Sequence, residues 1–346
     1  MSIASEEKRI RAAIAPGKLL VFLTVLLLVV GTVSLMLGQL RIPPGTIVRI
    51  FASRIFPIAP TWPATAESIL FDVRLPRMLA GLLVGGGLAI SGAAFQGLFR
   101  NPLVSPHILG VSAGAGFGAA LAILFFGTIS AIQILSFVFG LAAVGLTYGL
   151  SRVYRTTPVL MLVLSGIIVG ALFSAATSLL KYIADPSNSM PSIVFWLLGS
   201  LNNASNKDLM VVGPIIVIGA AVLLLISWRI NLLAMGEEDA RALGVDTVRT
   251  RAVIIICATM ISAASVSMGG IIGWIGLVIP HIGRILVGPD NKILLPVAVL
   301  IGASYLIAVD TIARTSMETE LPIGILTALV GAPIFAYLLR KNRSGW

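Results

Sequence analysis

His107 and His281 are the only histidines in this chain, and Cys257 is its only cysteine. Two separated imidazoles and one thiol do not make a Cys/His set with metal-ligand spacing. Each histidine follows a proline, Pro106 or Pro280, near a predicted helix end. That placement suits capping or an interhelical hydrogen bond better than haem ligation. Cys257 sits in the apolar run Val253 to Met260 and reads as a small core residue. No HExxH or GxSxG pattern is present. The Walker-type phosphate loop is also missing, because Gly17-Lys18 lacks both the upstream glycine and the following Ser or Thr. The sequence points away from an enzyme and away from ATP hydrolysis by this chain.

Acidic residues narrow the energy source. Asp310 lies inside a predicted span near its end, and Asp72 lies at the very start of another, so neither is in mid-membrane. Carriers coupled to protons or sodium ions usually hold acids in mid-membrane, so a secondary carrier is the weaker alternative. A second subunit is expected to supply the energy. The stretch 229–250 offers it a place, through Gly236-Glu237-Glu238-Asp239-Ala240-Arg241-Ala242-Leu243-Gly244. Three acids complement a helix N-terminus, and Gly244 can close the helix. The i, i+3 spacing is expected to put Ala240 and Leu243 on one face, ready for a partner's groove. A plain surface loop is the alternative.

The elements that must position these residues are membrane spans. Hydrophobic residues make up 58% of the 346, charged residues 11%, and mean hydropathy is +1.04. Soluble domains carry about a quarter charged residues. The apolar runs are about twenty residues long, the length of a transmembrane helix rather than a barrel strand. The fold class is therefore an all-α integral membrane protein of about ten transmembrane helices. Their expected ranges are 19–38, 70–95, 105–126, 129–150, 158–182, 209–228, 251–269, 272–287, 293–312 and 322–339. No long polar linker divides them, so residues 1–346 read as one transmembrane domain with 229–250 as its cytoplasmic loop. The first span reads as a retained helix; a signal peptide is the rival, but its apolar core is long and no small-x-small site follows.

Loop charges set the orientation. With the N-terminus inside, the inner loops hold Lys8, Arg9, Arg11, Lys18, Arg100, Arg152, Arg155, Arg229, Arg241, Arg249, Arg251, Arg284, Lys292, Arg340, Lys341 and Arg343, 16 of the 24 basic residues. The positive-inside bias places both termini in the cytoplasm. On a soluble protein the net charge of +10 would suggest nucleic acid; here it suggests membrane orientation. Arg74, Arg77 and Arg314 fall on the outer side, against that bias. Arg74 and Arg77 flank Pro76, which is expected in the first turn of the second span. Cations there oppose the helix dipole, so helix stability gives no reason for them. Snorkelling or lipid-phosphate contact is the plain alternative. Gly81 and Gly85, and Gly110 and Gly114, have the GxxxG spacing of close helix packing, with lipid-facing glycines as the alternative. Leu103-Val104-Ser105-Pro106-His107-Ile108 is similar to Leu277-Val278-Ile279-Pro280-His281-Ile282, five spans apart. An inverted-topology repeat is one reading, and chance likeness between apolar stretches is the other.

Several motifs now stand in order along residues 70–340. They are Arg74-Leu75-Pro76-Arg77, Gly92-Ala93-Ala94-Phe95-Gln96, Asn101-Pro102-Leu103 and Leu109-Gly110-Val111-Ser112. They continue with Gly276-Leu277-Val278-Ile279-Pro280-His281 plus Arg284, Glu320-Leu321-Pro322-Ile323-Gly324 and Gly331-Ala332-Pro333. Together they resemble the FecCD-type permeases, subunits of importers for iron-siderophores, haem, cobalamin and, in some members, molybdate or tungstate. The resemblance implies a prokaryotic inner-membrane permease that works by alternating access. It implies pairing with a second permease subunit, usually as a homodimer, and two cytoplasmic subunits that bind ATP and Mg. It also implies an external substrate-binding protein, no cofactor on this chain and no nucleic-acid partner. By the same resemblance, Arg74, Arg77 and Arg314 would meet acids on the binding protein. Glu237, Glu238, Ala240, Leu243 and Gly244 would belong to the segment that couples to the ATPase subunits.

Overall fold

The structure, a computed structural model, describes residues 16–38, 40–152, 159–317 and 319–341. The expected cytoplasmic termini, with Lys8, Arg9, Arg11 and Arg343, and also Arg155, lie outside these residues. Seven helices are long and apolar enough to cross a membrane, and three shorter apolar helices accompany them. The long ones are α1 (Pro16–Met36), α3 (Ala64–Phe99), α5 (Ile129–Ser151), α6 (Val159–Ile183), α8 (Asn206–Leu225), α11 (Thr247–Gly269) and α13 (Asn291–Thr315). The short ones are α4 (Val111–Phe125), α12 (Ile275–Val287) and α14 (Ile323–Lys341). Four connecting helices complete the chain: α2 (Pro44–Ser53), α7 (Ser189–Leu197), α9 (Ser227–Met235) and α10 (Glu237–Ala242). Each of the ten expected spans meets one apolar helix, with boundaries moved by a few residues.

Burial separates a hub from a rim. The apolar window of α3 is 78% buried and that of α11 72%, whereas α5 is only 22% buried. The rim helices carry large exposed apolar side chains such as Val21, Leu28, Leu172 and Leu225. Lipid tails solvate such a surface as well as protein would, so burial alone cannot hold the hub together. Close approach does. A Cβ on Gly85 would strike the Gly302 carbonyl and come within 2.7 Å of Leu306 Cβ, so α3 and α13 touch backbone to backbone. Gly81 packs on Ile307 and Gly114 on the Phe139 carbonyl and Ala143. Gly110 has a different reason: it precedes α4 with φ of 82°, the left-handed region glycine enters freely. It stands outside the helix, so the second GxxxG pair does not form one helical face.

Two expectations are refined here. Pro76 stands in the first turn of the α-helical stretch Leu75–Phe99, but the chain ahead of it is already helical. Helix α3 begins twelve residues earlier at Ala64, and a wide π-turn spans Ile69–Arg74 just before the proline. Proline lacks an N–H and crowds the carbonyl four residues back, and the wider turn accommodates it. The two similar segments also differ locally. Leu103–Ile108 is a loop leading into a 3₁₀ turn at Pro106–Leu109, whereas Leu277–Ile282 lies inside α12. They meet at Gln96 of α3 instead. Its Nε2 donates to the Val104 carbonyl at 3.1 Å and to those of Gly276 and Leu277 at 3.4 and 3.3 Å. Pro280 cannot donate to Gly276, its partner four residues back, so Gln96 satisfies a carbonyl that the proline leaves open.

The α3–α13 contact gives a test. Gly85→Leu should lower the melting temperature in detergent sharply, because overpacking costs about 1–3 kcal/mol even where a core can adjust. Gly145→Ala, at a site with nothing within 4 Å of the added atom, should leave it nearly unchanged. Equal melting temperatures for Gly85→Leu and wild type would remove the close-contact account.

Candidate functional site

The first candidate region is the end of the bundle that carries 229–250. Gly236 joins α9 to α10, and Glu237, Glu238 and Asp239 occupy the first turn of α10. The helix closes through Gly244, whose φ of 80° lets Val245 N donate to the Ala240 carbonyl at 3.0 Å. Asp246 then caps α11 by accepting from Arg249 N at 3.0 Å. The short helix is not left to stand alone, as six residues could not. The Glu237 carboxylate pairs with Arg251 on α11 and with Arg241 at 3.4 Å. Arg241 Nε also donates to Thr247 Oγ1 at 3.1 Å. On the other side, Asn231 of α9 donates to Asp290 at 2.6 Å and accepts from Asn291 N at 2.8 Å, which ties α9 to the start of α13. A displacement of this segment therefore carries α11 and α13, two hub helices, with it.

The expected shared face of Ala240 and Leu243 does not form. Ala240 is fully buried in the main core, while Leu243 is 61% exposed. Helix α10 ends at Ala242, and Leu243 already leaves the helical path. The exposed side chains here include Glu238, Asp239, Arg241 and Arg249 and, among the apolar ones, Leu243, Val248 and Met235. The last two gave no signal in the sequence, since exposed apolar residues on a cytoplasmic loop look like span residues.

The second region is the opposite end. The expected arginines come together there, and in the isolated chain they turn inward. Arg74 Nη1 donates to the Leu35 carbonyl at 2.7 Å and the Met36 carbonyl at 3.2 Å, and Nη2 donates to that of Leu40. Arg314 Nη1 donates to the Leu37 carbonyl at 2.7 Å, and Nη2 reaches Ser34. Both guanidiniums thus cap the open carbonyls at the C-terminus of α1, where a cation also complements the dipole. Helix stability does give a reason for them, on a different helix. Arg77 is 4% exposed. Its Nε faces both oxygens of Asp310 at 2.9 and 3.0 Å, and its Nη1 donates to Glu320 at 2.9 Å and to Asn202 at 3.3 Å. Glu320 and Asn202 were not expected partners; only contact across 243 and 125 positions of chain reveals them.

Glu320 and Asn202 also line a cavity of about 570 Å³. Its walls come from α7 and the following Gly199–Asn203, the start of α5, the end of α11 and Glu320–Pro322. Amides and hydroxyls such as Gln133, Asn188, Ser192 and Asn203 alternate with Phe195, Trp196 and Met268, and none of its lining residues is a cation. Of the histidines, His107 Nδ1 pairs with Ser112 Oγ, and His281 stacks edge-on against Phe335 of α14 at 5.9 Å.

The model of the FecCD transport family matches residues 26–341. The chain belongs to the FecCD transport family. Over 333 residues it is 41% identical to the molybdate import system permease protein MolB of Haemophilus influenzae, covering 95% of this chain and 97% of that one. The cobalamin import system permease protein BtuC of Halobacterium salinarum is 43% identical over 281 residues, 81% of this chain and 75% of that one. A solved structure described as an inward-facing conformation of a metal-chelate type ABC transporter superposes with a TM-score of 0.84. It is 40% identical and covers 94% of this chain and 99% of that one. This FecCD chain is accordingly the multi-pass permease of an ATP-driven importer, and its α9–α10 segment and the polar cavity lie at opposite ends of the bundle.

Leu243 gives the test of the α10 region. Leu243→Asp should weaken association with the ATPase subunits by about thirtyfold, the effect of losing about 2 kcal/mol at a central contact. Its melting temperature should match wild type, because the Leu243 side chain is largely exposed in the isolated chain. Ala240→Asp should instead destabilise the chain itself. Unchanged affinity of the Leu243→Asp permease for the ATPase subunits would take Leu243 out of the contact.

Proposed function

We propose that this chain imports a metal chelate, of the iron-siderophore, haem or cobalamin kind, by alternating access between two permease subunits. Two ATP-binding subunits, carrying ATP and Mg, grip the α10 end, which is the cytoplasmic face. An external binding protein delivers substrate to the opposite end. The tie from α10 through Glu237 and Arg251 to α11, and from Asn231 to α13, supports this direction of coupling, since it links the ATPase face to the hub. A ligand shifts such an equilibrium only by binding one state better than the other. With Arg74, Arg77 and Arg314 turned inward, Arg41, Arg49, Arg54 and Lys207 are exposed cations on offer to an acidic partner, and the three inward-turned arginines shape the face beneath it.

The observation that carries the substrate class is the cavity lining. A bare molybdate or tungstate dianion needs cations or a dense set of N–H donors to replace its water. Among the described residues the cavity presents one carboxylate, Glu320, no cation, and an alternation of aromatic and amide groups. That surface suits a larger organic chelate with apolar faces and hydrogen-bonding edges. Molybdate is the second reading, favoured by the likeness to the Haemophilus protein.

Uptake decides between them. Vesicles holding the permease with its ATPase subunits and binding protein should accumulate ferric-siderophore, haem or cobalamin only with ATP inside, and should ignore free molybdate. ATP-driven molybdate uptake without chelate uptake would reverse the assignment. A cysteine at position 243 in a Cys257→Ser background should react with an impermeant maleimide only from the ATPase side; labelling from outside would invert the topology.

A further inference from the structure

We propose that Arg77 is the positioning residue of the outer cavity, one side chain that fixes the spacing of both cavity walls through Asp310, Glu320 and Asn202. The inference rests on the reading of that cavity as part of a transport path that opens and closes. Arg77 reaches from α3 with two separable edges. The Nε edge lies against Asp310 on α13, whose carboxylate is 3% exposed and also lies 3.7 Å from Arg314 Nε. That half is buried between two hub helices and supplies the opposing charge the guanidinium needs. The Nη1 edge, itself outside the lining, reaches two residues of the cavity wall. It holds Glu320, whose side chain is 35% exposed, and Asn202.

Those two contacts lie on segments that are themselves joined. Ile323 N donates to the Gly199 carbonyl and Gly324 N to the Leu198 carbonyl, each at 3.0 Å. The start of α14 is therefore bonded to the segment leaving α7, and Glu320 and Asn202 sit just beyond either side of that joint. Ser200 N in turn donates to the Gly269 carbonyl at the end of α11, at 2.9 Å. With Arg77 in place, the segments around the cavity are referred to one rigid point on α3. With Glu320 released, the loop before α14 keeps its backbone bonds, including Leu321 N to the Ala313 carbonyl of α13 at 3.1 Å, but loses its side-chain tie to α3. Arginine suits this task because its planar fork serves two edges at once, which a lysine ammonium cannot.

The test reads the cavity directly in the complex of permease and ATPase subunits, reconstituted in vesicles. The probe is Ser267→Cys on the cavity wall, in a Cys257→Ser background, reacted with an impermeant maleimide from outside. Ser267 is 4% exposed, so the labelling rate follows opening. Glu320→Gln should raise that rate about fivefold, the factor a partly exposed ion pair can contribute. Arg77→Lys should do the same, since it keeps the charge and loses the fork. Glu67→Gln removes the Arg54–Glu67 pair at the same end and should leave the rate unchanged. Melting temperatures of Glu320→Gln and wild type should agree. Equal labelling rates in Glu320→Gln and wild type would overturn the proposal. So would an equal rise in Glu67→Gln, or a rise accompanied by a lowered melting temperature, since each marks general loosening. ATP-driven uptake measured on the same wild-type vesicles judges the transport reading separately.

Discussion

Close backbone approach along α3 is the constraint on which this fold depends. In hydrocarbon, helices gain nothing by hiding leucine from lipid, so a bundle needs short-range packing that lipid cannot match. Gly85 and Gly302 provide it between α3 and α13, and Gly92 and Gly276 between α3 and α12. Larger residues at these points would force the axes apart and open the hub. The rim helices are held less tightly and keep much of their apolar surface outward.

The same hub satisfies many of the polar groups it takes in from within. Gln96 bonds the carbonyl that Pro280 leaves without a helical donor. Ser262, Thr311 and Ser304 each turn back to the carbonyl four residues earlier. The arginines of the opposite end follow that rule on a larger scale. Arg74 and Arg314 close the C-terminus of α1, and Arg77 with Asp310 forms a buried pair whose loss on one side would strand a charge in a poorly solvated place. Cations that break the positive-inside pattern are thus absorbed by the fold itself.

The two ends are built differently for different work. The α10 end is rigid through side-chain bonds to two hub helices, with a small exposed apolar surface at Leu243 and Val248. The opposite end encloses a polar cavity whose walls are joined by backbone bonds between Leu198–Gly199 and Ile323–Gly324. Motion entering at the α10 end has α3, α11 and α13 to pass along, since the segment packs Ile230 on Gly97 of α3 and bonds to the other two.

Much of this was legible in the residues alone. Runs of about twenty apolar residues fix the number of helices, because a bilayer sets their length. The ordered motifs from Arg74 to Pro333 identify the family, and the acids and glycine of 236–244 mark a capped two-turn helix. What the sequence could not decide is where side chains point. Ala240 and Leu243 share a helical spacing, yet one is buried and the other exposed, because the helix ends between them. Arg74, Arg77 and Arg314 sit at a membrane end, yet their partners lie on α1, α13 and distant loops. Periodicity describes one element at a time, whereas an ion pair between residues 77 and 310 exists only once α3 and α13 have packed glycine to glycine.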